Sequence, residues 1–259
     1  MSPPESRGCD LEKRIQNAQI SHQIENDLND LLGQIGNQFS SDFYAVTRFS
    51  PATCHLGGFP EIAGKAFKVN QTITESKSDV INAMNEWGAC SSPGGCGGDW
   101  PEANYFALHQ LATEGEMTDG KCSDTYSGTC TDVGYKTNDS IGWRDDSGKI
   151  IVWFGDACSW TTTVDASEAT AALLANNVIV AGINSHQTGR GIDYPMTNSA
   201  GSCRSGSGTG QASAITSATK GTLTNSVSGT SATVNAILDA VAGGIAQSGS
   251  AAAVSFSAG

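Results

Sequence analysis

Apolar residues recur at steps of three and four, with a break near Gln19, between residues 10 and 39: Leu11, Ile15, Ala18, Ile20, Ile24, Leu28, Leu31, Leu32 and Ile35. That spacing predicts a long amphipathic helix, ended by Ser40-Ser41-Asp42. The pattern then changes. DFYAVTRFSP, residues 42–51, is β-branched and aromatic and predicts a strand that Pro51 stops. AFKVNQTIT, 66–74, predicts a second, more polar strand, and Asp79–Trp87 a short helix. After the Gly-rich stretch GACSSPGGCGGDW (88–100), Pro101 opens a helix that runs through Leu111, a first-turn position that proline favours.

The most apolar runs come later. KIIVWFGDA (149–157) and NVIVAGIN (177–184) are nearly continuous, and each ends in a polar residue. Strands covered on both faces read this way, and they are usually parallel. Helices are predicted over Ser167–Asn176, Gln211–Ala218 and Ser231–Ala246, with a short strand at GTLTNSV, 221–227. The tail SGSAAAVSFSAG (248–259) holds one spare strand-like segment, Ala251 to Phe256, whose place the pattern does not fix. Strands alternating with helices predict an α/β fold: a Rossmann-like three-layer sandwich with a mostly parallel central sheet flanked by helices. The 259 residues read as one domain with its core over 10–246. Residues 114–148 and 185–210 read as loop excursions, and 247–259 as a tail.

The charge balance narrows the partners. Fourteen Lys and Arg stand against 26 Asp and Glu, a net charge of −12. Nucleic acids and anionic membranes need a basic patch, so neither is expected as a partner. No run of 18 apolar residues occurs, so no membrane span is expected.

Eight cysteines, with no C-x-x-C and no histidine at zinc-finger spacing, predict a disulfide framework and hence an extracellular or secreted setting. Short loops favour Cys90–Cys96 and Cys122–Cys130. Cys158 and Cys203 follow strands toward one sheet edge and are paired, leaving Cys9 with Cys54. Asn70 and Asn138 begin N-glycosylation sequons. The opening MSPPESRGCD lacks the basic end and apolar stretch of a signal peptide.

Candidate chemistry is oxygen-based. Asp156 closes the strongest strand, at the edge where parallel sheets bind ligands. Asp99 and Glu102 sit where the Gly-rich loop turns into a helix. Such carboxylates suit a hard dication, Mg2+ or Ca2+. The plainer reading makes Asp156 a helix cap or an ion-paired group and Glu102 a favourable first-turn charge. His22, His55, His109 and His186 are dispersed, and His22 and His109 fall in helices as structural residues. No G-x-S-x-G, P-loop or H-E-x-x-H occurs, so no enzyme is expected.

IGWRDDSGKIIVWFGDA (141–157), GGDWPEANYFALHQLA (97–112), NNVIVAGIN (176–184) and GQASAITSATKGTL (210–223), in their order, resemble the von Willebrand factor A domain. The integrin β-subunit I-like domain and secreted bacterial or algal relatives are the nearest kinds. The resemblance implies that Asp156 is a metal ligand, Glu102 the acidic ligand of the I-like domain, and Asp99 part of its neighbouring cation site. It implies a protein-binding or adhesion module that takes a partner's carboxylate on the metal.

The family's first metal element, D-x-S-x-S or D-x-T-G-S-M at the end of its first strand, is absent, and Met1 stands where the Met of that element would be. That first strand is normally central in the sheet. The expectation is therefore a slot filled by an upstream strand. The alternative is the tail, folded back into its own sheet or donated to a neighbour's. In the donated case the protein is a structural subunit of an extracellular assembly, a homo-polymer.

Overall fold

The computed structural model describes residues 43–49, 67–84, 104–114, 140–145, 147–155, 158–159, 164–195, 210–248 and 252–258. The strands are β1 (Phe43–Phe49), β2 (Phe67–Thr74), β3 (Gly148–Gly155), β4 (Val178–Asn184), β5 (Leu223–Thr224) and β6 (Ala252–Ala258). The helices are α1 (Lys77–Met84), α2 (Asn104–Thr113), α3 (Ala166–Ala175), α4 (Gln211–Ala218) and α5 (Thr230–Ser248). The helix expected over 10–39 lies outside the described residues.

The six strands form one sheet in the order β2-β1-β6-β3-β4-β5. β1 and β2 pair antiparallel and every other pair is parallel. The tail therefore fills the slot. β6 pairs with β1 from Phe43–Ala253 to Arg48–Ala258, and with β3 from Gly148–Ala252 to Phe154–Ala258. An upstream strand is not what lies between β1 and β3; the chain's own last strand does.

The continuous apolar runs are explained by cover on both faces. Side chains alternate across a strand, so Ile151 and Trp153 join α2, α3 and α4 on one face. Ile150 and Val152 join α1 and α5 on the other. In β4, Val178 and Val180 point to the first cluster and Ile179 and Ile183 to the second. Helices thus cover both faces of a mostly parallel sheet, an α/β architecture. α5 comes very close to β3: a Cβ on Gly244 would lie 2.6 Å from Ile150 Cδ1.

Local chemistry sets the helix ends. Asp165 caps α3 by accepting from Glu168 N at 2.8 Å, and Glu168 Oε2 accepts from Asp165 N at 3.1 Å. This is a reciprocal capping box. At the end of α2, Glu114 Oε1 accepts from Ser140 Oγ (2.8 Å), Gly142 N (3.0 Å) and Trp143 N (2.8 Å). Trp143 Nε1 donates to Leu111 O at 2.7 Å, and Ile73 N donates to Ile141 O at 2.8 Å. The I-G-W-R segment, expected as the end of a surface excursion, instead buries Ile141 and Trp143 against α2 and β2. β5 is also shorter than the 221–227 expected, because Ser226 N and Val227 N donate to His186 O and Asn184 O rather than extending the ladder.

Candidate functional site

Five of the six strands run the same way, so the ends of β1, β6, β3, β4 and β5 gather along one edge. Ligands of parallel α/β sheets bind outside this carboxyl edge. The residues just past the strand ends set its chemistry.

Asn184, fully buried, ends β4. Its Nδ2 donates to Arg190 O and to Asn225 Oδ1, each at 2.8 Å, and its Oδ1 accepts from His186 N at 3.2 Å. Val227 N reaches back to Asn184 O at 3.1 Å. One amide thus ties the loop after β4 to the loop after β5.

The loop after β4 then makes a 3-10 turn over Gly191–Asp193. Asp193 is fully buried, in a segment expected to be a loop excursion. Its Oδ1 accepts from Ser213 N at 2.8 Å and Ser213 Oγ at 2.6 Å, and its Oδ2 accepts from Gly189 N at 3.1 Å. The reason lies in α4. Its N-cap is Gly210, which has no side chain to satisfy the free N–H groups of the first turn. Asp193 supplies that oxygen from 20 residues away, with the helix dipole favouring its charge. Gly210 must be glycine for this: a Cβ there would strike the Asp193 carboxylate and carbonyl.

Gln211 opens α4 and is buried. Its Oε1 accepts from Ser159 N at 2.6 Å and its Nε2 donates to Ser159 O at 3.4 Å, so the side chain mimics a strand partner. Ser159 Oγ in turn accepts from Tyr105 N at 2.9 Å, in the first turn of α2. The starts of α2 and α4 are therefore held together through the segment beyond β3.

Trp153 and Ser257 are register partners on β3 and β6, so their side chains share a face. Trp153 Nε1, Ser257 Oγ and Tyr105 Oη are buried without a hydrogen-bond partner among the described residues. Burial, and then the charge of Asp165, push the Tyr105 hydroxyl above the ordinary tyrosine range. The indole N–H can only donate, whereas the two hydroxyls can donate or accept.

Asp156, Glu102 and Asp99 lie outside the described residues; in sequence, Asp156 comes directly after β3. Among the described residues no three His, Cys, Asp or Glu side chains gather as a metal-holding group. Asp193 has all its described contacts within the fold. Cys158 is disulfide-bonded; Cys203, its expected partner, lies outside the described residues, as do Cys9, Cys54, Cys90, Cys96, Cys122 and Cys130. Asn70 is half-buried in the edge strand β2, and Asn138 is outside the described residues. His109 and His186 are half-buried, in α2 and in the loop after β4. Among the described residues no helix is long and apolar enough to cross a membrane.

Asn184, Asp193, Gln211 and Ser159 were not singled out by the sequence. A signal for Asp193 existed: α4 begins Gly210-Gln211, with no capping side chain of its own, so its cap had to come from elsewhere. Comparison with protein-family models and with curated proteins finds no match for this chain.

Proposed function

We propose that this chain is an extracellular protein-binding module of the von Willebrand factor A type, holding a divalent cation at the carboxyl edge of its sheet. The observation that carries the reading is the strand order. Counted from β6 as the first strand, β2-β1-β6-β3-β4-β5 reads 3-2-1-4-5-6, the doubly wound order whose ligand crevice opens where the order reverses. Here that point falls between β6 and β3, and Asp156 is the residue after β3. In this reading β6, the last strand of the chain, would take the place of the family's central first strand.

Asp156, Glu102 and Asp99 are the residues that would hold the ion. Hard carboxylate oxygens fit Mg2+ or Ca2+. A bound dication would supply an open coordination position for a carboxylate on a protein ligand. The hydrogen-bonded frame of Asn184, Asp193, Gln211 and Ser159 keeps the surrounding loops in place. The net charge of −12 makes direct attraction of an acidic partner unfavourable, so the cation would have to mediate it. The Cys158 disulfide supports an oxidising, extracellular setting.

Calorimetric titration of Mg2+ and Ca2+ into the whole chain tests this. The reading expects one saturable site that Asp156→Ala or Glu102→Ala removes and Asp193→Asn retains. Absence of saturable binding, or binding indifferent to Asp156 and Glu102, contradicts it.

A further inference from the structure

We infer that β6 is an exchangeable strand: the slot between β1 and β3 accepts β6 from a second copy of this chain, in the register it uses for its own. This is independent of the cation site proposed above.

The slot is made entirely by earlier parts of the chain. Phe43 to Arg48 line one side and Gly148 to Phe154 the other, and both run parallel to the strand they receive. β6 is joined to them only through α5. A second copy carries the same segment, so the ladder it would form is identical residue for residue. Exchange of this kind reuses an interface the chain already has and is a low-cost route to association.

The segment itself is suited to pairing. Ala252–Ala258 reads AAVSFSA, with no charge and no proline. Charge and proline are the usual guards against unwanted strand pairing, and this segment carries neither, so it pairs wherever two open strand edges are offered. When β6 leaves its slot, the complementary site nearest in chemistry is the same slot on another molecule.

The connection controls the choice between the two. α5 ends at Ser248 and β6 begins at Ala252, so only residues 249–251 join them. α5 is pinned: Ile237 and Val241 pack with Ile150, Val152 and Ile179, and Gly244 meets Ile150. With the helix fixed, the length of this hinge decides whether β6 reaches its own slot. A hinge too short for the turn drives the strand outward. Reciprocal exchange gives a closed dimer, and one-way donation an open chain of subunits.

The test uses the full chain with its disulfides intact, unfolded in denaturant, refolded over a range of protein concentrations, and sized by light scattering. A hinge variant lacking Gly249 and Ser250 and one with a Gly-Ser insertion after Ser250 are treated alike. The expected result is an oligomer fraction that grows with concentration in the native chain, dominates in the short-hinge variant and is lost in the long-hinge variant. A fluorescent peptide of residues 249–259, present during refolding, should be retained by the native chain, and its Val254→Pro form should not. Equal oligomer fractions in all three proteins, or equal retention of both peptides, overturns the inference.

Discussion

Asp193 shows how one buried carboxylate can organise a loop. It serves α4 as an N-cap would, but from a different part of the chain, and Gly210 leaves it the room. Asp193→Ala would take the carboxylate acceptor away from Ser213 N and Gly189 N, both in part-buried hydrogen bonds. Hydrogen bonds to charged groups contribute about 1.5–3 kcal/mol each, so a loss of roughly that size is expected in urea unfolding. Gly210→Ala pushes a methyl group into the same carboxylate, and overpacking of this kind costs about 1–3 kcal/mol. The sequence shows that α4 lacks a capping side chain of its own but not which residue supplies the cap, because local patterns report neighbours within a turn or so and this contact spans 20 residues.

Tyr105 makes a pH prediction at the same scale. Its hydroxyl titrates above the ordinary range, chiefly because it is buried. As pH rises, the unfolded chain therefore ionises first. The tyrosine leaves stability unchanged at neutral pH and lowers it once pH passes about 10, the ordinary tyrosine value. Tyr105→Phe should be close to neutral at pH 7, since the hydroxyl has no partner among the described residues. It should gain on the native chain as pH rises through that value. Urea unfolding of both proteins at the two pH values checks this; a gap that does not change with pH contradicts it.

Among the elements, β3 and β4 were the most legible, because cover on both faces removes polar positions and leaves an unbroken apolar run. α4 was legible to the residue, and α3 to within one at each end. The tail was not. Ala251-Ala252-Ala253 suits a helix as well as a strand, and alternating Ser gives no strong β signal. Two ready strand edges, not intrinsic preference, decide its conformation. β5 was overread because the backbone groups of Ser226 and Val227 are used by the loop after β4. For β6, Ser255→Pro is diagnostic. Proline cannot donate to a ladder and is excluded from central strands. The substitution should abolish cooperative thermal unfolding or lower its midpoint sharply, as read by circular dichroism; a free tail would tolerate it.

At the scale of the whole molecule, the fold class was readable from the alternation of strands and helices, while the topology was not. Order in the sheet depends on which edges meet, and the sequence carries only the elements. Of the loops at the carboxyl edge, residues 185–195 after β4 and 225–229 after β5 are described, and the Asn184, Asp193 and Asn225 side chains there are hydrogen-bonded within the fold. The carboxylates proposed for the cation, Asp156, Glu102 and Asp99, rest on their place in the sequence beside that edge. Cation binding should therefore raise the thermal midpoint of the native chain and leave that of Asp156→Ala unchanged, which melting with and without millimolar Ca2+ or Mg2+ checks.

The fold and the proposed crevice both turn on β6 lying between β1 and β3, since this closes the sheet and sets where the crevice opens. Amide hydrogen exchange of the intact native chain, read for residues 253–257, measures it directly. A strand paired on both sides exchanges only with the opening of the core. These amides should be protected to the same degree as those of Ile150 to Phe154 in β3. Exchange of the tail at the rate of an exposed chain end, with β3 still protected, would contradict it.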